Sequence, residues 1–144
     1  MSPDTGYAPG VGSEQKVVER AETPVMFKRV ADEVGAITRG MREVEEAVGL
    51  RGRKYYGAFD DRGEYRVCVQ LRDDDDPQAI GLEVGSLPGG RYALQRLTGE
   101  PPEVYDLIGP TFRQLSERPD RDPSRPGIEF YRRRDIIDLL LPII

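Results

Sequence analysis

The chain has 144 residues, 26 acidic and 21 basic side chains, one cysteine and no histidine or tryptophan. This length predicts one domain, and the missing histidine excludes triads, zinc sites and acid-base chemistry that depend on imidazole. One cysteine excludes an internal disulfide, and the net charge of -5 disfavours general binding to nucleic-acid phosphates. No apolar run reaches the roughly 20 residues that a membrane-spanning helix needs. We therefore expect a cytoplasmic protein without a metal or a cofactor.

The chain begins with residues 1–14, a stretch rich in Gly, Pro and Ser that is predicted to be a disordered tail. From Lys16 to Ala31 the sequence is β-branched and aromatic, which predicts a strand broken or bulged at Pro24. We then expect a helix that Asp32 caps and Gly49 ends. Its apolar residues recur every three or four positions, at Val34, Ile37, Met41, Val44 and Val48.

Two short strands follow, beginning at Lys54 and Glu64 and joined by a turn over 61–63. The acidic stretch 73–79 interrupts this pattern, because successive aspartates repel one another and Pro77 ends any element before it. The stretch lacks the ligand spacing of a calcium loop. We interpret it as a solvated linker.

The second half of the chain repeats this order of predicted strands and helix. A strand region covers 80–98 with a turn at Pro88, and an apolar pattern over 102–115 predicts a second helix, which Pro110 should kink or delay. Two strands, IEFYRRRD and IIDLLLPII, end the chain. The order strand, helix, strand, strand therefore occurs twice within a single domain over 15–144, in repeats at 15–72 and 80–144.

Corresponding positions are consistent with this internal repeat. Pro24 would correspond to Pro88, and Arg66 to Asp138. The second pair is spaced more widely than the first, which fits the longer loop after the second helix. Two βαββ units pair their strands most simply in one sheet, with both helices packed on the same side. We therefore expect an α+β fold with a pseudo-twofold antiparallel sheet and both helices on one face.

Three segments resemble the GyrI-like small-molecule-binding domain, the effector-binding part of many AraC-type and MerR-type regulators. Residues 126–131, PGIEFY, are similar to the P-x-x-E-x-Y strand of that family. Residues 138–143 resemble its closing strand, and 65–71 the equivalent strand of the first unit. The resemblance covers about residues 16–144 and implies a ligand cleft on the helix-free face of the sheet, with Glu129 in it. It implies no direct nucleic-acid partner here, because the helix-turn-helix head is missing.

Strand alternation extends this candidate cleft. Glu129 and Tyr131 lie on one face of their strand, and we expect Asp138, Leu140 and Cys68 to face the same cleft. Further aromatic surface would come from Tyr55, Tyr56 and Tyr92. Such a surface suits a flat, partly cationic ligand, because a cation over an aromatic ring gains roughly 0.5 to 2 kcal/mol. The alternatives are a structural ion pair for Asp138, with Arg66 or another arginine, and a buried apolar role for Cys68.

Three functions follow from these residues and the resemblance. The first is a stand-alone protein that binds hydrophobic or cationic small molecules, as a sensor or a sequestering resistance protein, and is a monomer or weak dimer. The second is a hydrolase of strained, electrophilic DNA-alkylating compounds, with Glu129 and Tyr131 as base and acid. The third is a protein-interaction module such as a gyrase inhibitor, in which the acidic stretch imitates the charge of DNA.

Overall fold

The computed structural model of the protein describes Gly10–Val11 and residues 15–144. It contains one large antiparallel sheet and two α-helices, α1 (Val34–Val48) and α2 (Ile108–Leu115). The strands are β1 (Gly10–Val11), β2 (Lys16–Arg20), β3 (Thr23–Ala31), β4 (Tyr55–Phe59), β5 (Glu64–Gln70), β6 (Glu83–Leu87), β7 (Gly90–Thr98), β8 (Gly127–Arg133) and β9 (Ile136–Pro142). No helix in these ranges is long and apolar enough to cross a membrane.

The sheet order is β1-β7-β9-β8-β4-β5-β3-β6, and β2 also pairs with β7. The two units β3-α1-β4-β5 and β7-α2-β8-β9 meet at the central pairing of β4 with β8. The strands β2 and β6 cross over, since each pairs with the first long strand of the other unit. These pairings confirm the predicted α+β class and the antiparallel sheet.

The two units correspond strand by strand. The strands β2 and β3 match β6 and β7 in length, and β5 matches β9. Arg66 is the third residue of β5 and Asp138 the third residue of β9, so their predicted correspondence agrees with the strand bounds. The correspondence of Pro24 with Pro88 is wrong, because Pro24 is the second residue of β3 whereas Pro88 lies between β6 and β7.

The predicted tail is only partly described. Gly10 and Val11 form the short strand β1, which pairs with Leu97 and Thr98 of β7, so these two residues do not belong to a disordered tail. This pairing with β7 satisfies the backbone hydrogen-bonding groups of β1 that face the sheet. The other residues of the predicted tail lie outside the described ranges.

The helix α1 has the bounds that the apolar spacing predicts, but its cap differs. Glu33, in an extended conformation, is the N-cap residue and makes no side-chain capping hydrogen bond, so the prediction that Asp32 caps the helix is wrong. Gly49 ends the helix with a φ of 93°, a conformation that favours glycine.

The second helix starts late, as Pro110 indicates. A 3-10 turn over Glu103–Leu107 precedes α2, and Pro110 is the third residue of the α-helix. Proline is tolerated in the first turn because the amide groups there have no partner within the helix.

Three apolar clusters pack against the sheet. Two lie on the helix-bearing face, one under α1 around Val44, Tyr65 and Val67, and one under α2 around Phe112 and Leu139. Directly paired residues of an antiparallel sheet project to the same side. Since Val69 pairs with Tyr55, and Tyr55 with Tyr131, both clusters are on one face, as predicted.

The third cluster, which we call the helix-free cluster, covers the opposite face of the sheet. Its buried members come from strands of both units and are Val25, Phe27, Tyr56, Ala58, Cys68, Leu87, Tyr92, Ile128, Phe130 and Leu140. This face is therefore filled by the protein's own apolar side chains.

Candidate functional site

Glu129 lies at the centre of the sheet and on its helix-bearing face. It pairs with Gly57 of β4 on one side and with Leu139 of β9 on the other, and only 6% of it is exposed. The hydroxyl of Tyr65 donates a hydrogen bond to Glu129 Oε1 at 2.7 Å, and that of Tyr131 donates to the same oxygen at 2.5 Å. The two hydroxyl oxygens are 3.3 Å apart. A carboxylate and two phenols thus form one compact group.

Gly57 makes room for this group. A Cβ atom at Gly57 would lie 1.7 Å from the hydroxyl oxygen of Tyr65 and 3.0 Å from Glu129 Oε1. Any larger residue would force Tyr65 away from the carboxylate. Glycine is needed here because side-chain atoms pass closely over the strand.

Burial sets the electrostatics of the site. It raises the pKa of Glu129 above its ordinary value, while the hydrogen bonds from Tyr131 and Tyr65 act in the opposite direction. Burial and the neighbouring carboxylate raise the pKa of both tyrosines well above their usual range, so both keep their protons. Glu129 makes no ion pair with any described residue.

Other aromatic side chains lie on the same face of the sheet as Glu129. Tyr131 and Phe59 are partly buried and pack against the clusters under both helices, so they lie between the two helices. The hydroxyl of Tyr55 donates to the carbonyl of Gly49 at 2.6 Å, and burial raises the pKa of Tyr55 to about 12. Tyr55 thus shares the face of Glu129 but is bonded to the end of α1.

The expectation that Glu129 and Asp138 share a surface is wrong, and a β-bulge explains the difference. Arg133 pairs with Ile136, but the register shifts before Tyr131, which pairs with Ile137. Without this shift the hairpin would place Tyr131 opposite Asp138. A shift of one residue moves side chains to the other face of a sheet. Glu129 and Tyr131 therefore face the helices, and Asp138 faces away from them.

The other predicted residues are also on the helix-free face. Cys68, Leu140 and Tyr92 are fully buried in the helix-free cluster, and Tyr56 stacks on Phe130 with ring centroids 4.7 Å apart. Burial raises the pKa of Cys68 to about 12, which keeps it a thiol and agrees with the apolar alternative. These residues form a packed core in place of the open cleft expected there.

Asp138 forms a structural ion pair, as the alternative interpretation states, but its partners are Arg96 and Arg132. Arg96 donates to its two carboxylate oxygens at 2.8 and 3.2 Å, and Arg132 donates to Oδ2 at 3.2 Å. Arg66, the partner suggested first, instead has its guanidinium 5.4 Å from the ring centroid of Phe27. The carboxylate of Asp138 is thus already neutralised.

Sequence reasoning missed Tyr65, which contacts Glu129 directly, as well as Gly57 and Phe59. Tyr65 alternates with Val67 and Val69, which pack in the cluster under α1, so it has to share their face. Its proximity to Glu129 depends on the pairing of β4 with β8, which joins the two units.

The acidic stretch is anchored to the sheet. Arg53 donates to the carboxylate of Asp75 at 2.7 and 3.2 Å, and the side chains of both residues are largely buried. The interpretation of this stretch as merely solvated is therefore wrong at Asp75. No group of three or more acidic or cysteine side chains suited to a metal ion occurs in the part of the chain that the structure describes.

Comparisons with known proteins identify the fold. No protein-family model matches the sequence, and no curated protein matches it. The structure is similar to an integron cassette protein from Vibrio cholerae, with a TM-score of 0.72 and 15% identity over 92% of this chain and 97% of that one.

Two further solved structures are similar to this chain. One is the protein SAV2435 bound to tetraphenylphosphonium, with a TM-score of 0.63 and 13% identity over 91% of this chain and 94% of that one. The other is a Staphylococcus aureus protein thought to regulate transcription, with a TM-score of 0.57 and 12% identity over 92% and 99% of the two chains. These neighbours are consistent with the GyrI-like small-molecule-binding fold, and at these identities they establish the fold alone.

Proposed function

We propose that this protein binds hydrophobic or cationic small molecules at Glu129 and serves as a sensor or a sequestering protein. The observation that carries the proposal is a buried carboxylate that lacks a cationic partner among the described residues. Burial of such a charge is costly unless an opposite charge neutralises it. A bound cation would supply that charge. The structural neighbour that is bound to tetraphenylphosphonium supports a lipophilic cation as the ligand class.

The ligand would approach from the helix-bearing face. Tyr131 contacts the carboxylate, and Phe59 stacks on Tyr65 with ring centroids 6.5 Å apart, so a ligand that reaches Glu129 from this face would contact these rings. Their faces would then contact the cation, which gains energy over aromatic rings as water is excluded. In the ligand-free protein, the hydroxyl groups of Tyr65 and Tyr131 donate hydrogen bonds to the carboxylate of Glu129.

Calorimetric titration with tetraphenylphosphonium tests the proposal. We expect Glu129→Gln to weaken binding at least about tenfold, because a neutral amide cannot balance the ligand's charge. Glu46→Gln, which removes a charge from an exposed position of α1, is the matched control and should leave binding unchanged. Failure of the unaltered protein to bind any member of a panel of lipophilic cations would overturn the proposal.

A hydrolase is the second candidate, and the contact of 2.5 Å between the Tyr131 hydroxyl and Glu129 favours it. A buried carboxylate with a raised pKa is suited to accept a proton from water, and a neighbouring phenol can return one. Incubation with an electrophilic cyclopropane compound and mass spectrometry would show addition of water. Binding without any mass change of the compound would restrict the protein to the binding function.

A further inference from the structure

A second candidate site lies away from Glu129, where the turn between β4 and β5 faces the loop over 123–126. A cavity of about 190 Å³ is present between these two segments. It is large enough for several water-sized groups. The polar side chains that line it are Asp60, Asp61, Arg62, Arg66, Ser124 and Arg125.

The acidic residues that line this cavity already have arginine partners. Arg62 pairs with Asp60 through side-chain atoms 3.7 Å apart, and its amide donates to the same carboxylate at 2.9 Å. Asp61 pairs with Arg121, and Arg125 pairs with Asp122. Arg66 makes no ion pair with any residue of the described ranges. The cavity therefore carries one uncompensated positive charge.

The charge environment of Arg66 in the sheet differs from that of Asp138, its counterpart in the second unit. Arg66 pairs directly with Arg29, and like charges opposite each other destabilise a sheet. Arg29 is balanced by Glu64 and Glu83. At the equivalent place in the second unit, Asp138 pairs with Arg96 and forms an ion pair. Arg66 thus lies opposite an arginine that two carboxylates already balance, and this neighbour supplies no negative charge to Arg66.

The side chain of Arg66 is held in place for contact with an anion. Its guanidinium lies over the ring of Phe27, 5.4 Å from the centroid, and stacking of this kind reduces the conformational freedom that binding would otherwise remove. A planar guanidinium donates two parallel hydrogen bonds to the oxygens of a phosphate. Arg62 adds further N–H donors from the turn between β4 and β5.

We propose that this cavity binds a phosphate group, free or carried by a small molecule, with Arg66 as its principal cationic contact. The bound anion would neutralise Arg66, which makes no ion pair with any described residue. The site lies on the helix-free side of the sheet because Arg66 pairs with Ala58 of the helix-free cluster. It is therefore separate from Glu129, and the two proposals stand or fall independently.

Titration of the full chain with inorganic phosphate, at constant ionic strength set with sodium chloride, tests this site. We expect Arg66→Gln to weaken binding at least about tenfold and Arg66→Asp to abolish it. The melting temperature without phosphate, measured for each variant, shows whether the variant is folded. Arg39→Gln, at an exposed position of α1, should change neither property.

A nucleoside monophosphate in parallel distinguishes the two sources of the phosphate group. Tighter binding of the nucleotide than of inorganic phosphate indicates a carried phosphate, and equal binding indicates the free anion. Phosphate binding that persists in Arg66→Asp, or no binding by the unaltered protein at millimolar concentration, would overturn the proposal. Tetraphenylphosphonium binding should be the same in all of these variants.

Discussion

Tyr65 of β5 and Glu129 of β8 are joined by a hydrogen bond of 2.7 Å that passes over Gly57 of the intervening strand. The two residues belong to different βαββ units, so the site exists only where the units meet. The second phenol, Tyr131, comes from the strand of Glu129 itself. Both units are therefore required to hold the carboxylate.

We expect Gly57→Ala to destabilise the protein by about 1 to 3 kcal/mol, because the added methyl group displaces Tyr65 from a packed position. Urea denaturation followed by circular dichroism measures this change. Gly35→Ala in α1 is the matched control, since its added carbon has only ordinary contacts. That variant should gain about 0.5 to 1 kcal/mol from helix propensity. Equal effects of the two substitutions would contradict the close approach at Gly57.

Tyr65→Phe should lower stability by about 1 kcal/mol at neutral pH, because Glu129 loses one of its two phenolic donors. The hydrogen bond lowers the pKa of Glu129, so the same variant should raise this pKa further. Carboxyl titration by NMR measures the second effect. Tyr105→Phe, at a half-exposed position, serves as the control and should change the Glu129 pKa much less.

Cation affinity should depend on pH through Glu129. Burial raises its pKa above 4.5, so the carboxyl gains a proton as the pH falls toward that range, and affinity for tetraphenylphosphonium should fall with it. The raised pKa also favours the protonated folded state. Stability from this group is therefore present at low pH and is lost as the pH rises through 4.5 and the folded-state pKa.

The control for this pH dependence is Glu129→Gln. Affinity for the cation should be weak in this variant and nearly constant with pH, and the slope of stability against pH should decrease. A pH dependence of binding that survives the substitution would assign the effect to another carboxyl group.

Asp138→Asn should cost about 1 to 3 kcal/mol in unfolding free energy, because it breaks contacts of a buried carboxylate with Arg96 and Arg132. We expect a smaller loss of unfolding free energy than for a fully buried ion pair, because both arginines are half exposed and water solvates them once the contact is lost. Asp61→Asn, at an exposed carboxylate, should change stability by less than about 0.5 kcal/mol. Loss of tetraphenylphosphonium binding in Asp138→Asn would contradict its placement on the opposite face.

Local patterns in the sequence predicted much of the fold. The spacing of apolar residues predicted α1, although the N-cap is one residue later than predicted, and the repeated element order indicated two βαββ units in one sheet. These features depend on neighbours in the chain, such as helical periodicity and the stop at Gly49. The P-x-x-E-x-Y resemblance also selected Glu129 and Tyr131, which the structure brings together.

The sequence by itself determined which chemical groups are available to the site. A chain without histidine offers carboxylates and phenols for a site of this kind. Only the tertiary structure decided which groups meet. The bulge between Tyr131 and Arg133 turns Glu129 toward the helices and away from Asp138, and the β4–β8 pairing brings Tyr65 to it. Strand alternation predicts the faces of one strand, but the register between strands depends on long-range pairing, and a shift of one residue reverses the faces.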